Sequence, residues 1–256
     1  MDKLWDKRRV KGRCSSLIRV AIVGVGGRMG SLIAGLIAQT NDMRVTAASE
    51  QASHPLLGKQ LDLARDVCVC TTEELMTREA DVLVDFTRPE VSMKAMAIAR
   101  EARWAVVCGT TGLDAVQMAA VRETARHVPV LLSPNMSVGI HAFYRALDSL
   151  ARELGEAYDA AVVELHHKHK LDAPSGTAKR MLEFLGPDTP CLSLRIGEMV
   201  GEHQAHFAGQ GERIVLTHHA LSRETFAHGA LRAIRFVHGR APGLYTMFDC
   251  LAESGK

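Results

Sequence analysis

Ile18-Arg-Val-Ala-Ile-Val-Gly24-Val-Gly-Gly-Arg-Met-Gly30 is a short β-rich run that leads into a glycine-rich turn. Apolar side chains then recur with helical spacing over residues 29–40. Small residues suit such a turn because the backbone bends tightly there and a pyrophosphate can approach it closely. The free N–H groups and positive dipole end of the following helix would face that anion. The stretch therefore predicts a strand–turn–helix unit of the dinucleotide-binding type.

The residues that follow continue the alternation of strands and helices. Strand-like segments occupy residues 18–23, 45–49, 82–86, 105–108 and 128–132, and helix-like segments occupy 29–40, 72–78, 89–103 and 114–126. Short connections between alternating strands and helices favour a parallel sheet covered by helices on both faces. We therefore predict an α/β fold whose first domain is a doubly wound, Rossmann-like parallel sheet.

The pattern changes near Asn135. A long helix is predicted at residues 137–154, a strand at 160–166, and a helix at about 177–185 after a polar loop. Strand-like stretches follow at 213–219 and 231–237, with no helix predicted between them. This order indicates a second, α+β domain with an open mixed or antiparallel sheet.

Composition narrows the functional classes. The chain has 256 residues, 47% hydrophobic and 23% charged, with a net charge of +2, which does not suggest a nucleic-acid-binding protein. The cysteines at positions 14, 68, 70, 108, 191 and 250 form no CxxC pair, so we expect free thiols in a reducing cytoplasm. The basic stretch 1–16 lacks the apolar core of a signal peptide, and no apolar run reaches the roughly 18 residues of a membrane span.

The glycine-rich turn departs from plain G-x-G-x-x-G, because Met29 stands at the third position and the glycine falls at Gly30. An ordinary tight connection is the alternative interpretation. Glu50 favours the dinucleotide, because it ends the second strand about 20 residues further on, where an acid would bind a ribose diol. Two more turns follow predicted strands at the same edge of the sheet, Gly109-Thr110-Thr111-Gly112 and Ser133-Pro134-Asn135-Met136.

A second cluster, Glu164-Leu-His166-His167-Lys168-His169-Lys170, precedes Asp172-Ala-Pro-Ser-Gly176-Thr177-Ala. It has three interpretations: a solvated basic loop, a metal site, or an anion-binding acid/base site. Adjacent lysines would repel a divalent metal, and we predict none. His and Lys could instead donate a proton, and the helix that begins near Gly176 could offer N–H groups to a carboxylate.

Together these motifs resemble the dihydrodipicolinate reductase family, as do Asp85-Phe-Thr-Arg88-Pro, Asn135-Met-Ser-Val-Gly139 and, more weakly, Arg223-Glu-Thr-Phe-Ala-His-Gly229. The resemblance implies reduction of a cyclic dicarboxylate by NADH or NADPH in the diaminopimelate route to lysine, with hydride delivered to C4. It implies that His166 and Lys170 are catalytic and that His167, Gly176 and Thr177 bind the substrate carboxylates. The cofactor would contact Gly24, Val25, Gly26, Gly27, Arg28, Met29, Glu50, Arg88, Gly109, Thr110, Thr111, Ser133, Pro134, Asn135 and Met136.

The resemblance also implies a homotetramer built through the second sheet, and a chain that returns to the first domain near Arg223. We therefore expect a dinucleotide domain of residues 1–134 and 223–256 and a substrate domain of residues 135–222. Gln51 follows Glu50 where many members of the family carry a basic residue, so we expect NADH or dual use. The segment 185–202 is shorter than in longer members, and the stretch 1–16 has no usable counterpart. A dehydrogenase for another small carboxylate and a nucleotide-sensing regulator are the competing functions.

Overall fold

A computed structural model describes residues 17–252 of the chain, so the basic stretch 1–16 and Cys14 lie outside the described residues. The first part of the chain alternates strands and helices as the sequence predicts. It forms β1 (Ile18–Val23), α1 (Arg28–Ile37), β2 (Met43–Ser49), β3 (Gln60–Leu61), β4 (Ala64–Cys68), a 3₁₀ helix (Glu73–Thr77), β5 (Val82–Asp85), α2 (Pro89–Ala102), β6 (Ala105–Cys108), α3 (Ala115–Ala125) and β7 (Pro129–Leu132).

The second part carries the other sheet and then returns to the first. It forms α4 (Val138–Leu154), a 3₁₀ turn (Gly155–Ala157), β8 (Asp159–His166), α5 (Gly176–Leu185), β9 (Cys191–Arg195), β10 (Gly201–Gly209) and β11 (Glu212–Ala220). The described part of the chain then forms α6 (Glu224–Val237), β12 (Gly243–Tyr245) and α7 (Met247–Ala252).

The first sheet has six parallel strands in the order β12-β7-β6-β5-β1-β2. Successive side chains of β1 point to opposite faces, as a strand requires. Val20 and Ile22 join the core beneath α1 and α6, whereas Ala21 and Val23 join the core beneath α2 and α3. Both faces are therefore covered, which confirms the predicted doubly wound sheet.

The expected strand at residues 231–237 was wrong, because these residues belong to helix α6. The buried side chains of α6 recur at helical spacing, at Ala227, Ala230, Leu231, Ile234 and Val237. The predicted strand began at residue 231, in the middle of this helix, and the remaining seven residues are too few to show the helical spacing. The helix packs on the first sheet beside α1.

The second sheet is mixed, with strand order β11-β10-β8-β9. The β8–β9 pair is parallel, while β10 is antiparallel to both β8 and β11. This confirms the open mixed sheet, although β9 and β10 were not predicted. Helices α4 and α5 cover one face around a core that includes Phe143, Leu147, Val162, Met181 and Phe207. Among the described helices, none is both long enough and apolar enough to cross a membrane.

Candidate active site

The glycine-rich turn lies between β1 and α1, at the carboxyl edge of the first sheet. Gly24 has φ +73°, a left-handed conformation that favours glycine, and its N–H donates to the carbonyl of Ser49 at 2.9 Å. A Cβ on Gly30 would lie 2.1 Å from the carbonyl oxygen of Gly24. Gly30, and not Met29, is therefore the residue that lets the helix approach the turn, which explains the displaced third glycine.

The amino end of α1 is suited to an anion. Its N-cap is Gly27, no side chain caps the helix, and its first turn has no acidic residue. The N–H groups of a first turn have no partner within the helix, so here they can donate hydrogen bonds to an anionic ligand. A cavity of about 570 Å³ opens at this point, lined in part by Gly24, Gly26, Gly27, Arg28, Glu50, Gln51 and Arg88. The turn, the uncapped helix and the cavity together fit the pyrophosphate and ribose of a dinucleotide.

The other predicted cofactor residues are not among those that line this cavity. Val25 and Met136 have buried side chains in the core, and Met29 packs against that core. Gly109 meets the ring of Phe86, since a Cβ there would be 2.1 Å from a ring atom. The remaining predicted residues follow the carboxyl ends of two strands: Thr110 and Thr111 follow β6, and Ser133, Pro134 and Asn135 follow β7.

Glu50 is nearly buried and holds the turn in place. Its Oε1 atom accepts a hydrogen bond from the N–H of Gly26 at 2.8 Å, and Oε2 accepts from the N–H of Gln51 at 3.2 Å. Gln51 is exposed at the mouth of the cavity. The acid predicted for the ribose diol is thus at the cavity, with the uncharged Gln51 beside it.

Asp85 links the loops that follow β5 and β6. Its buried carboxylate accepts hydrogen bonds from the backbone of Thr87 at 3.0 Å, from the hydroxyl of Thr110 at 3.2 Å, and from Ser92. The hydroxyl of Thr110 also accepts from the N–H of Thr87 at 3.0 Å. These bonds satisfy the buried carboxylate and fix both loops at the edge of the cavity.

A second polar centre lies at the carboxyl end of β8. Glu164 and His166 are two residues apart, so both side chains point to the inner face of the mixed sheet. Glu164 is fully buried and accepts a hydrogen bond from Nδ1 of His166. Because an ionised carboxylate only accepts, Nδ1 carries the proton and Nε2 is the atom available to a substrate.

The charges around this pair shift both pKa values. Burial by itself would raise the pKa of Glu164, but hydrogen bonds from Arg195 and Ser193 and the nearby His166 lower it to about 2. Burial lowers the pKa of His166, and the positive charge of Lys170 lowers it further, while Glu164 acts in the opposite direction. The site therefore combines a firmly ionised carboxylate with a histidine that gives up its proton readily.

His203 and Ser175 extend the centre. The ring of His203 meets that of His166 edge to face, with centroids 5.0 Å apart, and its Nε2 lies 3.2 Å from the hydroxyl of Ser175. Burial, followed by the neighbouring His166, lowers the pKa of His203 to about 3. His203 is therefore a neutral ring that supports Ser175.

Helix α5 begins at Gly176 and points its amino end at this centre. The hydroxyl of Ser175 caps the helix by accepting from the N–H of Ala178 at 3.2 Å, and the N–H of Ser175 donates to Glu164 at 3.3 Å. The first turn has no acidic residue. The Thr177 hydroxyl accepts from the side chain of Asn135 at 3.3 Å, so a predicted substrate residue touches a predicted cofactor residue.

Lys170 and His167 lie in the loop after β8. The Lys170 ammonium pairs with Asp172 at 2.7 Å and is 23% exposed. The N–H of His167 donates to the carbonyl of Met199 at 2.9 Å, while its buried Nδ1 has no hydrogen-bond partner in the protein. An unpartnered buried nitrogen beside the centre is consistent with a polar ligand.

Glu164, His166 and His203 also place possible metal-ligand atoms within 4.8 Å of one another. Glu164 already accepts from the guanidinium of Arg195 at 2.8 Å, however, and that fixed positive charge opposes a cation. The geometry thus favours hydrogen bonding between protein groups over metal ligation.

Comparisons with known proteins agree with this geometry. Family models described as dihydrodipicolinate reductase, N-terminus and C-terminus, match residues 18–136 and 139–251. The chain belongs to the dihydrodipicolinate reductase family. It is 39% identical to 4-hydroxy-tetrahydrodipicolinate reductase of Syntrophotalea carbinolica, with 92% of this chain and 99% of the relative covered. The counterpart from Anaeromyxobacter dehalogenans is 41% identical, with 93% and 99% covered.

A solved structure shows the same fold. The dipicolinate-bound dihydrodipicolinate reductase from Paenisporosarcina sp. TG-14 has a TM-score of 0.74 and 23% identity, with 90% of this chain and 98% of that chain covered. Membership of the dihydrodipicolinate reductase family makes the chain an oxidoreductase, and its Rossmann-type domain implies the use of NAD(H) or NADP(H).

Two residues of the polar centre, His203 and Arg195, were not predicted from the sequence. His203 and Arg195 lie on strands that flank β8, where His203 pairs with Glu164 and Arg195 pairs with His166. No local spacing relates these positions to residues 164–166, because only the strand order places them side by side. Predicting β9 and β10 and their pairing with β8 would have identified both residues.

Proposed function

We propose that this chain catalyses the NAD(P)H-dependent reduction of 4-hydroxy-tetrahydrodipicolinate, or of the dihydrodipicolinate formed from it by loss of water, to tetrahydrodipicolinate in the diaminopimelate route to lysine. The proposal rests on one observation: in a chain of this family, His166, Lys170 and the amino end of α5 lie together in one polar centre. The names of the curated relatives support this substrate. The dipicolinate bound by the Paenisporosarcina enzyme supports a cyclic dicarboxylate.

The cofactor would lie along the carboxyl edge of the first sheet. Its pyrophosphate would meet the turn Gly24–Met29 and the amino end of α1, with Glu50 and Arg88 near the adenosine and the turns 109–111 and 133–136 towards the nicotinamide. When bound, the reduced nicotinamide supplies a hydride to C4 of the substrate. We infer NADH or dual use, because Gln51 offers no charge to a 2′-phosphate and the ammonium of Lys94 is paired with Glu73 at 2.7 Å.

The substrate carboxylates would be held by cations and by free N–H groups. The N–H groups of Gly176 and Thr177 are in the first turn of α5, where an anion is stabilised by the helix dipole. Lys170 adds a positive charge, and His167 adds a ring nitrogen. The hydrogen bond between Asn135 and Thr177 would hold the carboxylate site next to the nicotinamide end of the cofactor.

His166 and Lys170 would supply the proton that accompanies the hydride. Glu164 fixes the ring of His166 through Nδ1, so Nε2 would act on the substrate. In the unliganded protein, burial lowers the pKa of His166. A bound dicarboxylate brings negative charge to the site, which favours the protonated ring and raises that pKa. Substrate binding would thus charge the proton donor when it is needed.

We infer that residues 135–222 form the substrate domain, and that residues before 135 and after 222 form the dinucleotide domain. We also infer a homotetramer built through the uncovered face of the mixed sheet. The exposure of Leu192 at 57%, Leu194 at 41% and Val215 at 40% supports an apolar contact there. The free thiols of Cys68, Cys70, Cys108 and Cys191 support a reducing, cytoplasmic location.

A coupled assay tests the proposed function. Aspartate semialdehyde and pyruvate are condensed enzymatically, the protein is added, and nicotinamide absorbance is followed with NADH and with NADPH. We expect oxidation of the cofactor that depends on both precursors, and a loss of about 10²–10⁴-fold in His166→Ala with NADH binding retained. Tight NADH binding without turnover would overturn the proposal in favour of a regulator. Turnover of another small carboxylate alone would favour a different dehydrogenase.

A further inference from the structure

Arg195 occupies a protected position beside the proposed proton donor. It ends β9 directly opposite His166 of β8, and paired residues of neighbouring strands point to the same face of the sheet. Its side chain is 19% exposed, against 0% for Glu164. A long cationic side chain at such a position needs partners that compensate for its loss of water.

The guanidinium of Arg195 has partners on two sides. Its Nη2 atom donates to Oε1 of Glu164 at 2.8 Å and to the backbone carbonyl of Asp172 at 2.6 Å. The other oxygen of Glu164 accepts from Nδ1 of His166. Glu164 is thus held between a guanidinium and an imidazole. Asp172 belongs to the loop that also carries Lys170, with which its carboxylate pairs.

We propose that Arg195 is a positioning residue for the reaction, holding Glu164 ionised against Nδ1 of His166 so that Nε2 of the ring always faces the substrate. The inference rests on the proposed function for its catalytic consequence. The hydrogen bond to Asp172 anchors the same guanidinium to the loop of Lys170. One side chain therefore sets the orientation of the imidazole and ties it to the second proposed proton donor.

The physical reason is the cost of a buried carboxylate that has no fixed positive charge beside it. Without Arg195, the Glu164–His166 pair loses a fixed positive charge, so its affinity for a proton rises whichever of the two residues takes that proton. A protonated Glu164 would no longer require a donor at Nδ1, and the neutral ring could then place its proton on either nitrogen. The charged and titratable groups that face His166 are Glu164 on its own strand, Arg195 on β9, His203 on β10 and Lys170 in the following loop.

Nitrogen NMR of histidine-labelled protein tests the inference without turnover, with the signal of His166 assigned by its loss in His166→Gln. We expect the neutral ring to carry its proton on Nδ1 in the unsubstituted protein and in Arg195→Lys. In Arg195→Gln we expect a mixture of tautomers and a titration of the pair that moves to higher pH. We expect kcat of Arg195→Gln to fall by about 10- to 100-fold, less than the 10²–10⁴-fold contribution of general acid catalysis itself.

Arg152→Gln is the matched control, because Arg152 forms an Arg–carboxylate pair with Asp148 at the surface, where its side chain is 76% exposed. A folded Arg195→Gln protein with the tautomer, titration and kcat of the unsubstituted chain would overturn the inference. If Arg195→Gln does not fold, the NMR spectrum of the unsubstituted protein provides the test. A neutral His166 with its proton on Nε2 in that protein would also overturn the inference. Absence of turnover combined with an Arg195-dependent Nδ1 proton would count against the proposed function and leave the positioning role standing.

Discussion

The ammonium of Lys170 lies 2.7 Å from a carboxylate oxygen of Asp172, two residues further along the same loop. This pair keeps a cation beside His166 while no substrate is bound. Burial lowers the pKa of the histidine, and the charge of Lys170 lowers it further. A substrate carboxylate would compete with Asp172 for the same ammonium. The loop therefore holds Lys170 ready next to the substrate site.

Replacing Lys170 by Ala should remove both a substrate-binding charge and a proton donor. We expect kcat/KM to fall by at least about 10²-fold, the lower end of the range for general acid catalysis, while the dissociation constant for NADH stays the same. Steady-state kinetics and a fluorescence titration with NADH measure the two quantities.

Lys168→Ala is the control, because Lys168 lies in the same loop with its side chain 61% exposed and 3.9 Å from Glu198. We expect little change in kcat/KM for that variant. Equal losses in the two variants would show that the net charge of the loop matters and that Lys170 has no special role.

Gly30→Ala should destabilise the dinucleotide-binding part. The new Cβ would lie 2.1 Å from the backbone oxygen of Gly24, and backbone cannot move aside as a flexible side chain can. We expect a loss of about 1–3 kcal/mol in the free energy of unfolding, typical of overpacking. Urea denaturation with a constant m-value measures it.

Gly35→Ala provides a control in the same helix, α1. The nearest atom to its new Cβ is a methyl of Leu63 at 4.0 Å, so the substitution introduces no clash. Since Ala is favoured over Gly inside helices, we expect a gain of about 0.5–1 kcal/mol. A Gly30→Ala protein as stable as Gly35→Ala would contradict the assigned close approach.

Gln51→Arg should shift the cofactor preference towards NADPH. Gln51 lines the cavity next to Glu50, so a guanidinium there could pair with the 2′-phosphate. We expect the ratio of the dissociation constants for NADPH and NADH to fall by about tenfold, which is 1.4 kcal/mol of new interaction. Titrations with each cofactor give the ratio.

Gln39→Arg adds the same charge at an exposed position after α1, away from the residues that line the cavity. It should leave the ratio unchanged. If Gln51→Arg also leaves it unchanged, another cation at the cavity, such as Arg28 or Arg88, already reads the 2′ position.

His203 should make the protein less stable in mild acid. Burial lowers its pKa from 6.5 to about 3, so between those values the unfolded chain binds a proton that the native protein does not. The free energy of unfolding is then unaffected by this proton above pH 6.5. It decreases as the pH drops below that value, with a slope of about 1.4 kcal/mol per pH unit for one such proton. Urea denaturation at several pH values between 6.5 and 4.5 gives this slope.

In His203→Gln the slope should decrease by up to that amount, whatever the change in absolute stability. His228→Gln is the control, because His228 is exposed on α6. Buried His141 and His166 and half-buried His218 also have lowered pKa values, so a residual slope is expected in both variants. Identical slopes in His203→Gln and the unsubstituted protein would mean that His203 is charged in the native state.

The sequence by itself determined the first sheet and the existence of the polar centre. The turn Gly24–Gly30 and the alternation after it predict parallel strands, because glycine punctuation and apolar periodicity are local properties. The block from Glu164 to Thr177 is also local, since one strand, one loop and one helix start bring its members together. By contrast, the window 231–237 was too short to separate helix from strand, and α6 was missed.

Only the tertiary structure decided which groups act on His166. Arg195 is 29 positions from His166 and His203 is 37, yet strand pairing places both beside it. Asn135, which follows β7, and Thr177, in α5, are 42 positions apart and are also brought together only by the fold. A pKa depends on burial and on charges within a few ångströms, and these follow from the order of strands in a sheet, which local spacing does not encode. The sequence thus specifies the reacting groups, and the fold specifies their charge and orientation.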